Sequence, residues 1–155
     1  MKKDQQKKDQ QKKNQGTSPG SYFKVYRGYR GTWDGSVYVE AQRINTLKQP
    51  MGETTRLRHL VFHSPSGFGW GYAGSGPADL ALSILADYFG EYEQLVGEYQ
   101  VLTYGHDSRT VGLHQMFKQD FLANIQDNTW EINSLDIEKW LENKDLQKYT
   151  QYTTN

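Results

Sequence analysis

Apolar and polar residues first fall into a regular pattern at Tyr22, where YFKVYRGYRGTW alternates aromatic or aliphatic side chains with basic ones at a period of two, as a half-buried strand does. Asp34-Gly35 supplies the positive φ values of a tight turn. The following SVYVEA returns with Val37 and Val39 on one side and Ser36, Tyr38 and Glu40 on the other, which completes a β-hairpin. Residues 45–55, with Pro50 and Gly52, predict a loop. Leu57 to Phe62 predicts a third short strand, Ser64-Pro65-Ser66-Gly67 a turn, and Phe68 to Tyr72 a fourth strand.

The spacing then changes. Leu80, Ala81, Ile84, Leu85 and Tyr88 recur as one broad apolar stripe of a helix that faces the sheet. Burying Leu80, Ile84 and Leu85 is worth about 1.5 to 3 kcal/mol each before entropy is subtracted. Ser75 or Gly76 can cap this helix, Pro77 fits its first position, Asp79 falls in its positive first turn and Gly90 can end it. Residues 91–115 settle on no period and read as a long excursion with a short strand at Tyr99 to Thr103. Met116 to Ile125 reads as extended, with Phe117 and Phe121 on one side and Lys118, Asp120 and Leu122 on the other. Trp130 to Asn133 leads into a second helix, capped by Asn133 or Ser134 and burying Ile137, Trp140 and Leu141.

The resulting order, β-β-β-β-α-β-α, predicts an α+β domain: a mainly antiparallel sheet of about five strands with two helices on one face. A chain of 155 residues suits one core. The expected division is a Lys/Gln-rich tail at 1–20, disordered because it has no apolar residue after Met1, then one domain over 21–145 and a frayed end at 146–155.

Composition changes this picture in three ways. The chain has no cysteine, which removes disulfides, thiolate metal sites and cysteine nucleophiles. It has no apolar run long enough for a membrane span or a signal peptide, so a cytoplasmic protein with no membrane partner is expected. The formal charge of zero conceals an asymmetry, because residues 1–15 carry six lysines and two aspartates. Residues 24–58 hold seven basic and three acidic groups, so the amino-terminal half carries basic surface that the whole-chain charge hides.

The segment GFGWGYAGSGPADLALSIL, the downstream FKQDFLANI and the terminal IEKWLEN resemble a family of small bacterial, phage and plasmid proteins known only as a domain of unknown function. The initial KVYRG fits it too, and the resemblance spans roughly Lys24 to Leu141. It implies no activity. Residence on mobile elements implies an accessory or host-interaction role, and the 91–115 stretch is longer than the family pattern, an insertion particular to this chain.

Several constellations were candidates for chemistry. Gly74, Ser75 and Gly76 present backbone N–H groups at a helix start, where a nucleotide phosphate or other anion can bind. The turn matches neither phosphate-loop fingerprint, lacks their lysine and loses a donor to Pro77, so the glycines read first as a strand-to-helix turn. His59 and His63, four apart on a strand, lie about 13 Å from each other, too far to share a zinc ion, so no metal site is expected. His106-Asp107-Ser108 contains triad residue types but reads as a turn. Asp79, Asp87, Glu91, Glu93 and Glu98 read as a solvated acidic face, and Trp70, Trp130 and Trp140 as core.

Tyr26, Arg27, Tyr29 and Arg30, joined by Arg56 and Arg58, interleave aromatic and cationic groups as a surface for nucleic acid or a protein partner. The sequence thus predicts a non-catalytic binding protein, with no catalytic residues and no cofactor. The competing alternative is a nucleotide- or anion-binding protein or enzyme with a pocket at Gly71 to Pro77.

Overall fold

The computed structural model describes residues 22–95 and 108–144. The amino-terminal tail, the expected strand at Tyr99 to Thr103 and the carboxy-terminal end lie outside the described residues. The architecture is α+β: among the described residues, one antiparallel sheet of four strands and four α-helices.

The hairpin forms where the alternation placed it. Strand β1 (Phe23–Arg30) pairs antiparallel with β2 (Val37–Ile44), with Tyr26 opposite Ala41 and Tyr29 opposite Tyr38. Its turn is fixed by the Asp34 carboxylate accepting from the Ser36 N–H at 3.0 Å and by Gly35 at φ +66°. Strand β3 (Pro50–Arg56) occupies most of the segment expected as a loop, and pairs with β2 as an edge strand. Pro50 opens it, the position where a proline costs an edge strand no ladder bond.

The segments expected as the third and fourth strands are not strands. Only Leu57 continues the ladder, donating its N–H to Val39 O at 2.8 Å. Beyond it the backbone donors turn to side chains of helix α1 (Ser75–Phe89): Leu60 N–H to Ser83 Oγ, and Phe62, His63 and Ser64 N–H to the Asp79 carboxylate. Residues 68–72 are likewise irregular, held by Gly71 N–H on Leu122 O and by Trp70 Nε1–H on Asp127 O.

Helix α1 is buried nearly all round, from Gly76 to Ala86. Leu80, Ala81, Ile84 and Leu85 pack into the main core with Tyr26, Val39, Ala41 and Ile132 of the sheet. Leu82 and Ala86, on the other side, join Leu60 and Leu95 in a second cluster. Gly90 ends α1 in the left-handed conformation, as expected. Short α2 (Tyr92–Leu95) follows.

Residues 116–125 correct the expected extended segment. Helix α3 (Arg109–Phe117) passes directly into a π-helical turn at Lys118–Leu122. A four-residue separation satisfies both a strand and a helix period, and here it stacks the Phe117 and Phe121 rings with centroids 4.5 Å apart. Strand β4 (Thr129–Asn133) then pairs with β1, giving the order β3-β2-β1-β4. Helix α4 (Ser134–Asn143) starts on a capping box between Asn133 and Asp136 and buries Ile137, Trp140 and Leu141. The core clusters place the helices on one face of the sheet. Among the described residues, no helix is long and apolar enough to cross a membrane.

Candidate functional site

Strand alternation divides the six residues of the expected aromatic and cationic surface between opposite sides of the sheet. Tyr26 is fully buried on the helical side, a correction to its expected place on the surface. Its hydroxyl donates to Asp87 Oδ2 at 2.7 Å, and Lys24 Nζ reaches the same oxygen at 2.6 Å. Burial first, then the neighbouring Asp87 charge, push the Tyr26 phenol far above its ordinary pKa of 10.0, so it stays a donor. Arg30 also faces this side: it stacks its guanidinium 4.5 Å from the Trp70 ring centroid and donates to Trp70 O. Arg58 lies at the rim, over Tyr92 and paired with Glu93 at 3.0 Å.

Arg27, Tyr29 and Arg56 stand on the opposite face. There the Tyr29 and Tyr38 rings stack with centroids 4.9 Å apart and planes at 24°, and the Arg56 guanidinium lies 3.7 Å over Tyr38. Tyr29, Tyr38 and Arg56 come from β1, β2 and β3, so three neighbouring strands build one row of planar groups. Arg27 donates to Glu131 and to Gln42. A shallow slot opens over the β1–β4 ladder beside Tyr29, lined also by Arg27, Thr129 and Glu131. Neither core cluster contains a residue of this face, although Val25, which shares it, is buried.

The glycine-rich turn serves packing. Gly74 is the N-cap of α1 and makes no side-chain capping bond, so Ser75, expected as a candidate cap, is instead the first helical residue, and Pro77 sits two positions further in. A Cβ on Gly76 would stand 2.6 Å from the Tyr72 hydroxyl and 3.0 Å from the Gly69 nitrogen, and one on Gly74 would stand 2.5 Å from the Tyr72 ring. The turn's own backbone and Tyr72 thus close over the helix start. Gly71, at φ +84°, approaches Ile125 O so closely that a Cβ would meet it at 2.6 Å.

A polar cluster that the sequence reading missed lies beside this turn. Asp79 is not in the first turn of α1 but deeper, fully buried, and not part of a solvated face. Its carboxylate accepts from three consecutive backbone N–H groups, Phe62, His63 and Ser64, and contacts His59 Nε2 at 2.8 Å. Burial alone would raise its pKa. The His59 bond and the backbone donors outweigh that and hold the carboxyl below its ordinary 3.8. The available signal was an aspartate inside an otherwise apolar helical stripe, which has to find donors. The other described carboxylates of that expected face disperse: Asp87 binds Lys24, Glu91 accepts from Ser108 Oγ and Glu93 pairs with Arg58, while Glu98 lies outside the described residues.

His63 and His114 meet at Nε2 to Nε2, 3.1 Å apart. His114 Nδ1 lies 2.6 Å from Val111 O, an acceptor only, so Nδ1 carries the proton. Neutral His114 therefore accepts at Nε2 and His63 donates. Burial lowers the pKa of His114 below 6.5, opposed by the Val111 carbonyl and by Asp79, and aided by His63 and Lys118. Because the folded value is depressed, the unfolded chain takes up the proton first as pH falls. Stability is complete above about pH 6.5 and declines below it. The urea midpoint is expected to fall between pH 7 and pH 5, and His114→Gln to flatten most of that decline.

Among the described residues, no three His, Asp or Glu side chains converge where a metal ion could sit. His106 and Asp107 lie outside the described residues, while Ser108 caps α3 by accepting from Val111 N–H. No curated protein and no solved structure matches the chain. A family model does, over residues 26–143, from the second half of β1 to the end of α4. The chain accordingly belongs to the family of unknown function DUF6166.

Proposed function

We propose that the protein is a non-catalytic binding protein that takes a macromolecular partner on the face of its sheet that no described helix covers. The observation that carries this reading is the row formed by Tyr29, Tyr38 and Arg56, in which stacked rings and a guanidinium stand on a face that no described helix covers. Aromatic and arginine side chains held rigidly on strands lose little conformational freedom when they meet a partner, which is why such groups dominate binding surfaces. The mobile-element resemblance supports an accessory role for a phage, a plasmid or the bacterial host, in the cytoplasm.

The test compares macromolecules retained from a bacterial lysate by the tagged full chain and by Tyr29→Ala/Tyr38→Ala, with matched circular dichroism. A species held by the parent and lost by the variant is the expected result. Identical retention, including none by either protein, overturns the proposal.

A further inference from the structure

Resting on that reading, we infer that the partner is single-stranded nucleic acid, and that one base settles into the shallow slot over the β1–β4 ladder, against the ring of Tyr29. The row of planar groups gives the reason. Tyr38 has the Arg56 guanidinium over its ring and Tyr29 stacked beside it, which engages Tyr38 within the protein. Tyr29 stands at the end of the row, and its register partner on the paired strand β4 is the small side chain Thr129. Tyr29, Arg27, Thr129 and Glu131 wall the slot, and Gly28 and Trp130 lie at its floor. A planar group entering there extends the row by one member. A hydroxyl, a guanidinium and a carboxylate stand at its edge to meet the donors and acceptors of a nucleobase.

Charge selects single strand over duplex. Arg27 and Arg56 are matched on this face by Glu131, paired with Arg27 at 2.9 Å, and by Glu40, the register partner of Arg56. A balanced face neutralises few phosphates, and duplex binding depends chiefly on phosphate neutralisation. Stacking carries the contact instead, and only unpaired bases offer their faces. The basic excess lies elsewhere, in the six lysines against two aspartates of residues 1–15, where it can draw in a polyanion without specifying its bases. Glu131 lines the slot and Glu40 stands beside Arg56, whereas the buried centre of a protein interface is depleted of carboxylates.

The test is fluorescence anisotropy of a short labelled oligodeoxythymidylate with the full chain, at about 50 and 200 mM salt. Binding is expected at the lower salt. Tyr29→Ala should weaken it by roughly tenfold or more, Tyr29→Phe should keep it, and Thr129→Trp, which fills the slot from an exposed position, should block it. Deleting residues 1–15 should reduce the salt dependence while leaving the Tyr29 effect in place. No binding at low salt, equal binding of a duplex, or an unchanged affinity in both Tyr29→Ala and Thr129→Trp overturns the inference. Competition by free thymidine monophosphate at the same base concentration would reassign the slot to a small nucleotide and also overturn it. If the oligonucleotide fails while the lysate comparison yields a protein lost with the double variant, the inference falls and the binding reading stands.

Discussion

Asp79→Ala is expected to lower stability by about 3 to 5 kcal/mol, a large part of the 5 to 15 kcal/mol that holds a typical domain together. The loss is large because one carboxylate satisfies three consecutive backbone donors of the 62–64 segment and anchors His59 besides. Removing it leaves three consecutive N–H groups without their acceptor at once, the Ser64 donor among them buried. Asp79→Asn keeps one acceptor oxygen and should fall between alanine and the parent in a urea titration. The pH dependence has a definite sign. The folded pKa of Asp79 is held below 3.8, so its stabilisation is complete above that value and is lost as pH falls through the lower, folded one. Acid should therefore act in two stages, His114 below about pH 6.5 and Asp79 below about pH 4; Asp79→Asn should remove the second and, because the Asp79 charge opposes the lowering at His114, deepen the first.

Gly28→Ala is expected to cost about 2 to 4 kcal/mol, although it adds a single methyl group in a strand. The Trp130 indole lies directly against the Gly28 backbone, where a Cβ would overlap the ring, and Trp130 in turn meets Trp70 edge to face at 5.6 Å. Admitting the methyl means displacing one indole and disturbing the other. Gly35→Ala is the matched control. Nothing lies within 4 Å of its Cβ position and only the φ of +66° is strained, so about 1 kcal/mol is expected. Differential scanning calorimetry of the two variants separates the effects: a melting point no lower for Gly28→Ala than for Gly35→Ala would show that Trp130 moves aside at no cost.

Local rules located the elements whose signals are local. The stripe from Leu80 to Tyr88, the stop at Gly90 and the Asn133 cap each depend on neighbours a few residues away, and the structure carries all of them; the turn falls where Asp34-Gly35 placed it, but as the longer 31–36 loop in which Gly35 and not Asp34 takes a positive φ. Strand β3 was hidden because PMGETTR is polar with a proline and a glycine; its extension comes from the ladder that β2 offers, not from burial. Leu57 to Phe62 is apolar for the opposite reason: it lies over α1 and satisfies its backbone on Ser83 and Asp79, a partnership set at distances of 15 to 23 residues. Helix α3 and its π turn shared the Phe117 and Phe121 spacing with a strand, so periodicity could not separate them.

The candidate surface was legible in residue type but not in grouping. YRGYR brings tyrosine and arginine together in sequence, yet the period of two sends Tyr26 and Arg30 inward and leaves Arg27 and Tyr29 outside. The outer row is completed by Tyr38 and Arg56 from other strands, and the slot by Thr129 and Glu131, about a hundred residues along the chain. Only the topology joins them.

The position of β1 between β2 and β4 also bears on how the protein is made. Arg27 and Glu131 are 104 residues apart and lie side by side on neighbouring strands. A ribosome delivers β4 about a hundred residues after β1, so during that interval β1 has one unpaired edge and its Tyr26 face has incomplete cover. Such an edge is a template for pairing with another nascent chain. A transcript interrupted before Thr129 would yield a chain that keeps this edge permanently, a substrate for chaperones and proteases and not a smaller version of the same protein.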